Sequence, residues 1–449
     1  MTREEALRRI ERVSNEKLMR LDLSRLGLKE LPPEIIKCTH LTRLILYDNE
    51  ISSFPATLWQ LSNLKRLDLS GNQITSIPEA IGQLSNLTQL EFQYNSLTSL
   101  PEAIGQLSNL TQLEFQYNSL TSIPEAIGQL SNLTQLEFQY NSLTSIPEAI
   151  GQLLNLRRLD FNNNQITSIP EAIGQLSKLT LLNLYRNQIT SIPEVLGQLS
   201  NLRRLNLAVN QITSIPEVIG QLSNLRRLNL AGNQITSIPD VVGQLLNLTD
   251  LCLCYNQITS IPDIIGQLSN LTELHLYNNQ ITSIPKVLGQ LSNLTVLLLY
   301  NNQITSIPNA IRGMEKLHTL DLRGNPIPIP PEILQGKSSY EPGDLLTILD
   351  FYFQNHDQFE ETAEALNTPP RPRVTNKAIK ATESVRPQNS QLKKDIAALY
   401  AINARLAKAA KPDGYTPTKV ARAALKAQTS LIAAIKALEK MDDIVASDS

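Results

Sequence analysis

Leucine recurs at positions 18, 41, 64, 87, 110, 133, 156, 179, 202, 225, 248, 271, 294 and 317, an interval of 23 residues carried through fourteen copies without insertion or deletion. No other feature constrains the fold so tightly. A unit of this size cannot bury its own apolar face, so unit must stack on unit. The 449-residue chain is in any case too long for one compact core.

One copy, LKRLDLSGNQITSIPEAIGQLSN at 64–86, shows what each position is for. Leu67 and Leu69 alternate with polar neighbours, which predicts the inward side of a short strand. Asn72 closes the strand, and its amide can bond backbone groups of neighbouring turns where no strand ladder exists. Stacked copies at Asn49, Asn95 and Asn118 then predict an asparagine ladder. Ile74 and Ile77 turn inward on the return path, and Pro78 forbids continuation of a strand. Ile81 and Leu84 seat a short turn of 3₁₀ type on the convex side, which Gly82 is expected to end. With aromatics at 5%, the core is expected to be aliphatic.

The unit L-x-x-L-x-L-x-x-N-x-I-x-x-I-P-x-x-I-x-x-L-x-x resembles the leucine-rich-repeat signature in length and pattern. The resemblance implies an α/β fold: a curved solenoid of 14 repeats with a parallel sheet on its concave side. The expected organisation is an N-terminal cap helix at 1–17, the solenoid at 18–339 and a C-terminal cap helix at 340–358. A flexible linker at 359–389, a basic helical hairpin at 390–441 and a disordered tail at 442–449 follow. For the first cap, Thr2 and Glu5 suit a capping box, and Leu7, Ile10 and Val13 an apolar side. For the second, DLLTILDFYFQ (344–354) carries Leu346, Ile348, Leu349, Phe351 and Phe353. In the hairpin, Leu392, Ile396, Leu399, Ile402 and Leu406 form one stripe, and the loop KPDGYTP precedes a second helix. Two such hairpins can pair into a four-helix bundle and make a homodimer through residues 390–441.

LPPEI at 31–35, the repeated SIPEAIGQL, and NPIPIPPEIL followed by a hydrophobic helix are similar to the repeat region of bacterial Roco proteins. They are also similar to the Ras-group leucine-rich-repeat proteins. This likeness covers about residues 3–355 and implies signalling through protein contact. In the Roco pattern a GTPase domain follows. Here Gly336-Lys337-Ser338 stands alone, with Pro331 where a P-loop needs its first glycine and no strand before it. The chain reads as a recognition module without the switch.

No catalytic, cofactor or metal constellation is expected. His40, His318 and His356 have no co-ligand in the pattern. His275 follows Cys252 by one period and Cys254 shares its face, yet no fourth ligand completes a closed zinc site. Free thiols are the simpler reading of all three cysteines. A ubiquitin-ligase cysteine after the repeats, as in some bacterial effectors, has no counterpart beyond Cys254. Asn86-Leu87-Thr88 and its copies are glycosylation sequons that turn and strand requirements also explain. The first thirteen residues lack the apolar stretch of a signal peptide, and no run of 18 apolar residues exists, so a cytoplasmic location is expected.

The candidate site is therefore the concave face, holding a protein partner. Repeats four to six present Glu91 and Tyr94, Glu114 and Tyr117, and Glu137 and Tyr140, an unusual row of like charges. Arg158, Tyr185, Arg204 and Arg227 come next, then Tyr255, Tyr277 and Tyr300. Aromatic and arginine side chains are common contact anchors. Charge is divided along the chain: 15 Lys+Arg against 4 Asp+Glu in 371–441, and 25 against 35 in 1–370. The alternatives are a tether to nucleic acid or an anionic membrane through the basic hairpin, although Tyr400 and Tyr415 are its only aromatics, or a GTPase-associated regulator. The hairpin also suggests a salt-sensitive contact of the tail with the acidic row. Deleting 390–449 is expected to convert a dimer to a monomer in sedimentation. A full-length chain already monomeric at micromolar concentration would refute the bundle.

Overall fold

The computed structural model describes residues 2–336 and 341–355. The chain divides into two units, Met1–Leu366 and Asn367–Ser449, and every described residue belongs to the first. The expected linker, basic hairpin, disordered tail and dimer contact, together with Lys337, Ser338 and His356, lie outside the described residues.

Fourteen three-residue strands, β1 (Arg20–Asp22) to β14 (Thr319–Asp321), form one parallel sheet in strict chain order. Every paired residue sits one period from its partner, as Leu90 on Leu113 and Leu113 on Leu136. Register thus follows directly from the repeat. In β4 (Gln89–Glu91), β5 (Gln112–Glu114) and β6 (Gln135–Glu137) the central leucine is fully buried and its two neighbours face the concave side. The return path carries a 3₁₀ turn after each proline, for example Glu79–Gln83, with Ile81 and Leu84 fully buried.

The asparagine ladder holds the return path to the strands. Asn141 Nδ2 donates to the carbonyls of Phe138 and Phe115, each at 3.0 Å, while its Oδ1 accepts from Leu120 N at 3.0 Å. One side chain so satisfies backbone groups of two successive repeats. The same three bonds recur from Asn49 to Asn325. The residue before each ladder asparagine adopts a left-handed conformation, as at Asp48 (φ 57°) and Gly71 (φ 66°).

Polar positions outside the ladder also serve the stack. Asn86 Nδ2 donates to Ser62 O at 2.8 Å and Thr88 Oγ1 to Lys65 O at 2.9 Å, which accounts for the sequon pattern structurally. In three repeats the glutamate after the proline reaches the next turn: Glu79 accepts from Ala103 N at 2.9 Å, and Glu125 from Ala149 N and Glu148 from Ala172 N, both at 3.1 Å.

Several expectations need correction. Gly82 lies inside its 3₁₀ turn and does not end it. The repeated glycine is instead a packing requirement: a Cβ at Gly128 would meet Gln152 Oε1 at 2.6 Å and Ala149 O at 2.8 Å. The core is not purely aliphatic. Phe92, Phe115, Phe138 and Phe161 are fully buried and stack ring on ring at 5.4, 5.5 and 5.6 Å. A local run of phenylalanine at one repeat position makes this spine despite low overall aromatic content.

The N-terminal cap is helix α1 (Thr2–Glu16), which packs Ala6, Ile10 and Val13 on the first repeat. Leu7 is only half-buried, so the buried stripe runs through Ala6 instead. Helix α1 already includes Thr2, and the Glu5 carboxylate bonds Arg8 and Arg9. At the other end, a short helix α2 (Pro331–Leu334) precedes helix α3 (Leu345–Gln354). Asp344 caps α3, accepting from Thr347 N at 2.9 Å. Ile348, Leu349 and Tyr352 are buried there, whereas Leu346 is 69% exposed. No helix among the described residues is long and apolar enough to cross a membrane.

Replacing Asn141 by leucine should cost about 1–3 kcal/mol, because three buried backbone groups lose their partner. Hydrogen exchange at the Leu120 amide should accelerate. An unaltered urea transition and unaltered exchange would count against the ladder.

Candidate functional site

Parallel pairing without slip turns repeat positions into columns on the concave face. One column runs Gln89, Gln112, Gln135, Arg158. Farther along, the same position holds Arg204 on β9 (Arg204–Asn206) and Arg227 on β10 (Arg227–Asn229), both exposed. A second column runs Glu91, Glu114, Glu137, Asp160.

The tyrosines resolve into two positions, neither of them on a strand. Tyr94, Tyr117, Tyr140 and Tyr255 occupy the left-handed position before the ladder asparagine, with φ of 56°, 57°, 56° and 53°. Tyr185, Tyr277 and Tyr300 stand one residue earlier. Both sets border the sheet at the ends of its strands. Tyr94, Tyr117 and Tyr140 stack face to face at 4.4 and 4.3 Å. Together with Gln93, Gln116, Gln139 and Asn162 they wall a groove of about 320 Å³. A second cluster gathers Tyr255 edge-on to Tyr277 at 5.4 Å and Tyr277 stacked on Tyr300 at 4.3 Å. Arg323 lies 5.8 Å over the Tyr300 ring. Tyr185 stands between the two clusters in the chain. Burial raises the Tyr117 and Tyr277 hydroxyls and pushes Tyr300 up to about 12. These groups stay neutral at ordinary pH and offer hydrogen bonds, not acid–base chemistry.

The acidic row is not the free anionic ladder expected from the pattern. Glu91 and Glu137 side chains are each only 14% exposed. Arg66 Nε lies 2.7 Å from Glu91 Oε1, and Arg158 Nε lies 2.8 Å from Glu137 Oε1, so a cation closes each end. Between them, glutamines bridge diagonally: Gln93 Nε2 donates to Glu114, and Gln116 Nε2 to Glu137 Oε2 at 2.6 Å. Each carboxylate of the row is thus paired within the face, and the basic tail lies outside the described residues. Arg66 escaped the sequence reading because its partner is 25 residues away. One period carries Arg66 to Gln89, two positions from Glu91, so the repeat arithmetic contained the signal.

Enclosure carries an electrostatic penalty. Burial, then Asp68, raise the Glu91 carboxyl to about 7, against the pull of Arg66. Burial and Glu137 raise Glu114 as well. Asp160, 3% exposed, is also raised by burial, partly offset by bonds from Asn183 and Asn162.

At the other end of the face, Cys252 and Cys254 are free, with sulfurs 3.2 Å apart. His275 is one register step from Cys252, but its Nε2 lies 3.3 Å from Glu273. The expected convergence of three ligands is therefore only a pair. Among the described residues no group of three or more His, Cys, Asp or Glu side chains could hold a metal ion. Cys38 is buried under α1, and His318 bonds Thr319.

Because Glu91 titrates higher in the folded chain, near 7 rather than 4.5, the folded state binds the extra proton between those values. Stability conferred by this group is present below about 4.5 and is lost as pH rises toward about 7. The urea midpoint should fall across that window, by on the order of 1–3 kcal/mol in stability. Glu91→Gln should flatten the slope, and an identical slope in the variant would refute the assignment.

With the geometry in hand, comparison with known proteins is informative. A family model described as a leucine-rich repeat region matches residues 57–145 and 194–300. A leucine rich repeat model matches 16–74, 131–189 and 155–212, and a two-copy repeat model matches 292–332. No curated protein matches the chain. Among solved structures, a leucine-rich-repeat protein of Leptospira interrogans is 36% identical, covering 72% of this chain and 94% of its own, with TM-score 0.58. An internalin of Listeria monocytogenes is 25% identical, with 72% and 94% covered and TM-score 0.62. The plant peptide hormone receptor RGFR1, solved in complex with RGF2, is 33% identical, with 70% and 57% covered and TM-score 0.58. Such repeats are typically non-enzymatic modules for protein contact. Period, ladder, sheet and these matches agree: the chain belongs to the leucine-rich-repeat family.

Proposed function

We infer that this chain recognises a protein partner on its concave face, between the two tyrosine clusters. The observation that carries the reading is the Tyr94–Tyr117–Tyr140 stack, matched beyond a stretch of arginines by Tyr255, Tyr277 and Tyr300. Tyr140 and Tyr255 are 37% and 57% exposed. Rings already held by their neighbours lose little freedom on binding, which favours them as anchors. Between repeats six and eleven the face spans roughly 24 Å, five strand spacings. Arg203, Arg204, Arg226 and Arg227 are exposed in that interval. The chemistry fits a partner segment with carboxylates in its middle and apolar side chains at its ends. The complex of RGFR1 with RGF2 supports protein recognition by a related solenoid.

The reading extends to intracellular signalling as a scaffold, in the cytoplasm. Three unbridged cysteines fit a reducing compartment, and the likeness to the Roco repeat region points the same way.

The test is affinity capture by the full chain from native extract, comparing three baits. Tyr94→Ala/Tyr117→Ala/Tyr140→Ala and Arg204→Glu/Arg227→Glu should each weaken a specifically retained protein by at least about tenfold, the scale of one lost anchor. Leu154→Ser/Leu246→Ser, on the exposed convex side, should not. Loss with the convex variant and retention with both concave variants would overturn the reading.

A further inference from the structure

The thiol pair of the eleventh repeat is not explained by repeat packing. Cys252 ends β11 (Asp250–Cys252), and Cys254 sits in the turn that follows. At the position of Cys252 the neighbouring repeats carry Asn206, Asn229 and His275; at that of Cys254 they carry Ala208, Ala231 and Tyr277. The stack tolerates any of these, so neither sulfur is needed to build it. Yet the two Sγ atoms approach to 3.2 Å, and a groove of about 220 Å³ opens beside Cys252. Two free sulfurs held in contact beside open space mark a place that a small, soft cation can take.

We propose that Cys252 and Cys254 form a two-thiolate site for a thiophilic monovalent cation of the copper(I) class. Thiolates select soft ions. Zinc sites ordinarily need four ligands, or three and a water, and among the described residues no larger group of ligands converges here. Two metal–sulfur bonds form as two thiol protons leave to solvent, so no electron is transferred and the ion stays monovalent. Metal–thiolate bonds of about 2.3 Å allow sulfurs up to about 4.6 Å apart. The sulfurs, 3.2 Å apart in the metal-free chain, would have to separate on binding, and the groove that Cys252 lines is the space beside them. The bound pair carries one net negative charge, in a groove lined by Arg227, itself paired with Asp250 at 3.4 Å, and by Glu273. His275, held beside Glu273 at 3.3 Å, is a neighbour and not a ligand.

The full chain, reduced and kept anaerobic, is titrated with copper(I) buffered by a chromogenic chelator, beside Cys252→Ser, Cys254→Ser and Cys38→Ser. Wild type and Cys38→Ser should each withdraw one equivalent. Cys252→Ser and Cys254→Ser should bind at least about 100-fold more weakly, with metal-free melting curves unchanged. X-ray absorption of the loaded wild type, which requires no variant to fold, should show two sulfur neighbours. Binding retained within about threefold by either serine variant, or an absorption spectrum dominated by nitrogen and oxygen, overturns the proposal.

Discussion

Backbone hydrogen bonding between successive turns is the constraint on which this molecule depends. A three-residue strand leaves most of each 23-residue unit without a ladder, and buried amides and carbonyls without partners are costly. The asparagine at the end of each strand removes that cost three bonds at a time, one within its own repeat and two across a repeat boundary. Because two of the three bonds join one repeat to the one before, no unit is complete alone. The end repeats in turn need α1 and α3 to cover their faces.

Strict translation has consequences on the surface. Any residue type kept at one repeat position becomes a column about 4.8 Å in pitch. In the core this makes the phenylalanine spine, and at the strand ends the tyrosine stacks. On the sheet it crowds carboxylates, which the chain accommodates with terminal arginines and diagonal glutamines while raising Glu91 and Glu114. Repetition thus creates both the tyrosine columns and the electrostatic stress beside them. The acidic row is paired internally, whereas Tyr140, Tyr255 and Arg204 remain exposed at the surface.

The 23-residue interval was enough, by itself, to determine the solenoid, the parallel sheet with its register, the asparagine ladder, the proline-initiated turns and the columns of the concave face. All of these follow from one translation applied to a pattern of buried and polar positions, which is local information. What only the tertiary structure decided depends on side-chain direction across repeats. The glycine of the convex turn is there for the neighbouring turn, not for its own chain direction. Tyr94 and Tyr277 belong to different turn positions because the left-handed residue is set by the ladder. Glu91 finds Arg66 diagonally, the Glu5 carboxylate turns to Arg8 and Arg9, and His275 turns to Glu273 and leaves Cys252 to Cys254. Periodicity specifies which residues are neighbours; the competition among those neighbours for charge and hydrogen bonds is settled only when all of them are in place.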